Sequence, residues 1–94
     1  MSMEVVMGII EVEGLVSLVD AIDAMSKSAG IEVLGFKQGP NSIAVFITGE
    51  YKPVAAVLEV GKRIVQRYGE QAKCKVIPNP HGHTQLVVQS LTKG

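Results

Sequence analysis

Ninety-four residues make one small domain, and 47% of them are hydrophobic while 19% are charged, below the roughly 25% of ordinary globular domains. A small domain has little interior, so an apolar excess with few charges needs cover, and subunit interfaces are the simplest place to find it. Nine basic residues balance nine acidic ones, no basic cluster tracks phosphates, and the four aromatic residues Phe36, Phe46, Tyr51 and Tyr68 are too few for a base-stacking platform, which argues against nucleic acid.

Charges and glycines interrupt every apolar run well short of the roughly 18 residues of a membrane span. The first residues, Met1-Ser2-Met3-Glu4, lack the basic start of a secretory signal. The single cysteine, Cys74, has no internal partner, in keeping with a reducing cytosol. It lies in a strand pattern and is read as a small buried apolar residue.

Val5 to Val12 is apolar on both faces except at Glu11, the pattern of a strand covered on both sides. Gly14 breaks it. Leu15, Leu18, Val19, Ile22 and Met25 then form the stripe of an amphipathic helix that ends at Gly30. Ile31 to Phe36 is a second strand, Lys37 to Asn41 has turn chemistry, and Ser42 to Thr48 is a third strand closed by Gly49. A second helix starts near Lys52 with Pro53 in its first turn. Its buried stripe is Val54, Val57, Leu58, Gly61, Ile64, Val65 and Tyr68, and Gly69 ends it. Gly61 on that stripe costs about 1 kcal/mol against Ala, which a close approach of helix to sheet explains. Ala72 to Ile77 is the fourth strand. It leaves the sheet at Pro78-Asn79-Pro80, because neither proline donates a ladder bond. A short terminal helix is expected over 84–91.

The order β-α-β-β-α-β predicts an α+β fold, a ferredoxin-like antiparallel sheet with both helices on one face. That fold hosts many functions. Catalytic constellations are not found. His81 and His83 form a His-x-His with no third ligand at a metal-site spacing, Glu11 and Glu13 share a strand face with no nucleophile beside them, and the glycines match no phosphate-cradling pattern. The sequence calls for no catalytic residue, no metal and no cofactor.

Four segments carry a resemblance. Gly8 to Leu15 is followed by Asp23-Ala24-Met25-Ser26-Lys27, then Lys37-Gln38-Gly39-Pro40-Asn41-Ser42, then Ile77-Pro78-Asn79-Pro80-His81. In this order and separation they resemble the hexamer-forming shell proteins of bacterial microcompartments, the BMC-domain family, over about Gly8 to Val88. The resemblance implies a single BMC-type domain over 1–94, with a core at about 5–81, located in a microcompartment shell in the bacterial cytoplasm. It implies a flat cyclic homohexamer that tiles edge to edge around enzymes with other shell proteins, and a central pore that passes small polar metabolites.

By the same resemblance, Lys27, with Asp23, Asn79 and His81, belongs to the hexamer edge. Asn79 stands where the family has arginine, and Asn lacks that residue's planar fork of donors. Gly39, Pro40 and Asn41 would line the pore, with Lys37 further out as a ring of positive charge that favours anions. The loop is one residue shorter than the family's common pattern, and Pro40 replaces a serine that would offer a hydroxyl and an N–H. Two rival readings stand beside this one. A small-molecule-binding regulatory domain on the same fold would remain a discrete oligomer. An acylphosphatase-type hydrolase needs an arginine in a phosphate-cradling loop, whereas Arg63 and Arg67 fall on the exposed side of the second helix.

Overall fold

The computed structural model describes residues 5–78. The expected helix over 84–91 and the candidates Asn79 and His81 lie outside the described residues. The elements run β1 (Val5–Val12), α1 (Leu15–Ser26), β2 (Ile31–Gln38), β3 (Ile43–Glu50), α2 (Tyr51–Arg67) and β4 (Ala72–Pro78). They form a four-stranded sheet in the order β2-β3-β1-β4, with every neighbouring pair antiparallel. This is the α+β, split βαβ arrangement expected from the element order. The first strand has the predicted bounds. β2 runs two residues further than the sequence suggested, because Lys37 and Gln38 pair with Ala44 and Ile43, and this shortens the turn to residues 39–42.

Strand β1 sits inside the sheet and is apolar on both faces, which explains its unbroken hydrophobic run. Val6, Ile10 and Val12 join Leu18, Ala21, Met25, Val45, Ile47, Val54, Val57, Leu58 and Val65 in the main core. On the opposite face Met7 and Phe46 are buried, with Ile9, Leu34, Ala44 and Ile77 packed against them. Val33 and Leu34 pack on opposite faces, one against each cluster, and a bulge between Val33 and Gly35 shifts the register of the rest of β2 by one residue, so that Gly35 pairs with Phe46.

Two glycines set the distance between α2 and its neighbours. A Cβ on Gly8 would lie 2.7 Å from Val54 Cγ1, and one on Gly61 would lie 2.6 Å from Met25 Sδ and 3.1 Å from Ile10 Cδ1. At Gly61 the expected approach to the sheet is present through Ile10, but the tighter contact is with Met25 of α1, so this glycine serves helix–helix packing first. Helix α2 buries Val54, Val57, Leu58, Gly61 and Val65. The predicted Tyr68 instead stands exposed, beyond the helix, and its hydroxyl donates to Asp20 Oδ2 at 2.8 Å.

Helix α1 departs from its predicted stripe. It packs through Ser17, Leu18, Ala21 and Met25. The expected core residues Leu15 and Val19 are instead exposed, at 62% and 58%, beside Val16 at 70%. The apolar arc of this helix is wider than the sheet and α2 cover, and Ala21 and Ser17 are small enough to sit closest to them. The apolar excess in the composition thus surfaces here.

Gly8→Ala is expected to lower stability by about 1–3 kcal/mol, since Val54, Ile47 and Leu58 all crowd the new methyl and none is free to leave the core. Chemical denaturation measures it, and an unchanged midpoint would mean that α2 can move away from the sheet at no cost.

Candidate functional site

The β2–β3 hairpin places the predicted pore residues. Gln38 and Ile43 close the ladder, the Gly39 N–H donates to the Ser42 carbonyl at 2.7 Å, and Pro40 and Asn41 stand exposed at the tip. Pro40 fits here because the position needs no ladder donor. Lys37 is not at the tip. It lies within β2, in a row that runs across the helix-free face through Ala44 and Glu11 to Lys73. The Ser42 hydroxyl donates to Glu11 Oε2 and so ties the loop to β1.

The loop forms one wall of a cleft of about 740 Å³, also lined by Glu11, Val12, Glu13, Glu70, Gln71 and Lys73. The sequence set Glu11 and Glu13 on one strand face, but consecutive odd positions do not reveal that a distant hairpin and the α2–β4 turn close around them. Glu70 was missed altogether. Its place follows from helix ending chemistry: Gly69 adopts φ 75°, its N–H donates to the Gln66 carbonyl at 3.0 Å, and the Glu70 N–H reaches the Val65 carbonyl at 3.4 Å. This Schellman ending turns Glu70 toward the start of α1. That helix has no side-chain cap and no acidic residue in its first turn. Buried Ser17 places its hydroxyl 2.9 Å from Glu70 Oε1 and 3.0 Å from the Gly14 carbonyl, with one proton to donate between them. A Cβ at Gly14 would collide with the Glu70 carboxylate. Glycine there lets a carboxylate from another part of the chain serve the positive end of α1.

The edge candidates Asp23 and Lys27 come together at the other end of α1. Lys27 Nζ lies 3.2 Å from Asp23 Oδ2, an exposed i,i+4 pair worth a few tenths of a kcal/mol. Arg63 and Arg67 are exposed on α2, with Arg63 4.0 Å from Glu59, so no arginine enters a phosphate-cradling loop. Among the described residues no group of three or more His, Cys, Asp or Glu is arranged to hold a metal. No helix among them is long and apolar enough to cross a membrane.

Cys74 corrects an expectation. It pairs with Ile10 on the edge strand β4 and is exposed, not buried, because an edge strand has no further neighbour on that side. Its sulfur still leans on α2, 4.0 Å from the Leu58 carbonyl. Partial burial pushes the thiol above its ordinary value, Lys62 opposes the shift and Glu59 adds to it.

Residues 7–80 match the BMC domain. The chain belongs to that family. It is 37% identical over 89 residues to the bacterial microcompartment shell protein EutM of Salmonella typhimurium, covering 94% of this chain and 93% of the relative. It is 30% identical over 83 residues to the shell protein PduA of Citrobacter freundii, covering 87% and 89% of the two chains. Among solved structures, a microcompartment protein from Desulfitobacterium hafniense DCB superposes with a TM-score of 0.75 at 26% identity. That match covers 95% of this chain and 48% of the other, so this BMC domain spans about half of that protein.

The thiol shift has a measurable sign. The folded chain favours the neutral thiol, so Cys74 contributes stability below the ordinary thiol value that is lost as pH rises through the raised one. Alkylation by iodoacetamide is expected to be slower in the folded protein than in urea at the same pH, and to keep accelerating above the ordinary thiol range. Equal rates in the two states would show that α2 does not desolvate the sulfur.

Proposed function

We propose that this BMC domain is a structural shell protein of a bacterial microcompartment in the cytoplasm. In this reading it closes into a cyclic homohexamer, tiles edge to edge alone or with other shell proteins around encapsulated enzymes, and carries a central pore for small polar metabolites. The reading rests above all on the end-to-end match to shell proteins, which covers nearly the whole of both chains. It calls for no catalytic residue and no cofactor.

The surface supports it physically. A ring of identical subunits joins two different patches of each copy by a contact that closes on rotation. Leu15, Val16 and Val19 offer an exposed apolar patch, and such a side chain gains about 1.5–3 kcal/mol on full burial. The hairpin loop residues Gly39, Pro40 and Asn41 are assigned to the pore, with Lys37 set back from it. Asp23 and Lys27 are assigned to the hexamer edge. Their mutual ion pair is weak enough to exchange for contacts with a neighbouring ring. Asn79 and His81 complete that edge in the same assignment.

Native mass spectrometry is expected to show a hexamer, with little monomer at micromolar concentration. A dominant monomer, dimer or trimer would sink the ring. Lys27→Asp is expected to leave hexamers intact and abolish extended sheets in electron micrographs. A loss of about 1–2 kcal/mol per contact, the scale of a charge-assisted hydrogen bond, recurs at every edge of a lattice. Sheets of unchanged extent would remove Lys27 from the edge.

A further inference from the structure

We infer, on the basis of the pore assignment above, that the opening ringed by residues 39–42 favours small cations and hydrogen-bond donors such as ammonium and protonated amines over anions. The loop's own hydrogen bonds carry the inference. Anion sites on backbone are built from successive free N–H groups. In this loop the Gly39 N–H is spent on the Ser42 carbonyl, Pro40 has no N–H, and the Ser42 hydroxyl is spent on Glu11. Three of the loop's possible donors to an anion are thus removed within four residues, which leaves the Asn41 and Ser42 N–H groups to face the charges around them. The exposed Asn41 side chain both donates and accepts, so it discriminates little by itself.

The charges around the loop point the same way. The cleft behind Pro40, Asn41 and Ser42 carries Glu11, Glu13 and Glu70 against Lys73 alone. A ring would repeat that imbalance in every subunit and focus a negative potential on its mouth. Lys37, whose charge by itself would favour anions, is the counterweight. It is set back in β2, with only Ala44 between it and Glu11 in the cross-strand row, so a carboxylate on the same face opposes its field.

Conductance of the assembled protein in a planar bilayer, under a gradient of ammonium chloride, tests this. The reversal potential is expected to report ammonium as about threefold or more permeant over chloride. Pro40→Gly restores a backbone donor per subunit and Glu11→Gln removes a carboxylate, and each is expected to move the reversal potential toward that of chloride. A native reversal potential at zero or on the chloride side would overturn the inference, as would variants that leave it unmoved. A second measurement separates this failure from failure of the pore. In a Cys74→Ser background, Asn41→Cys should make the current sensitive to a thiol reagent. Current that is blocked but chloride-selective overturns the selectivity alone. Current that the reagent does not touch overturns the pore assignment and the selectivity with it.

Discussion

The structure depends on the inner position of β1. It pairs with β3 on one side and β4 on the other, and it is buried on both faces. A strand in that position satisfies its backbone donors and acceptors within the sheet and must be apolar in both directions. Gly8 then becomes necessary, because the helix-facing side at that point has no room for a methyl group beside Val54. At the far end of the same strand Val12 still enters the core, but on the helix-free face Glu11 turns its carboxylate to the hairpin loop. One strand therefore sets the helix–sheet distance at its start and anchors the candidate pore loop at its end.

The loops that matter are fixed by contacts remote in sequence. Ser42 and Glu11 are 31 residues apart, and Ser17 and Glu70 are 53 apart. The second pair sets a carboxylate beside the start of α1, which has no side-chain cap and no acidic residue in its first turn. It joins the start of α1 to the turn after α2, while the Tyr68–Asp20 hydrogen bond ties the same two helices from the exposed side. The result is an end of the molecule tied by remote contacts, from which only Pro40 and Asn41 of the four-residue hairpin tip stand exposed. A tip of that kind changes the lining of an opening without disturbing the sheet behind it.

Much of this was legible in the sequence because it follows local rules. The bounds of β1 came from its uninterrupted apolar run, α2 from a stripe that packs almost as spaced, and the place of Pro40 from turn chemistry. What was not legible depends on which neighbour arrives. Leu15 and Val19 fit the periodicity of a buried face as well as Leu18 does, and only the width of the surface that α1 meets excludes them. Cys74 has the look of a core residue until the strand order makes β4 an edge. Glu70 has no signature at all beyond the glycine before it, since its role belongs to the helix it serves and not to the segment that carries it.

The misplacement of Leu15 and Val19 bears directly on assembly. A helix whose apolar arc exceeds its intramolecular contact has two resolutions, polar substitution of the surplus or a second surface to cover it. This chain keeps Leu15, Val16 and Val19 on one exposed arc. It also guards the outer strand β4 with Lys73 and Lys75, a common means of discouraging uncontrolled strand pairing at a sheet edge. The combination disfavours open-ended growth through the β4 edge while leaving an apolar helix face available. A chain built that way is suited to association through defined side-chain contacts, which a closed ring requires and an aggregating sheet does not.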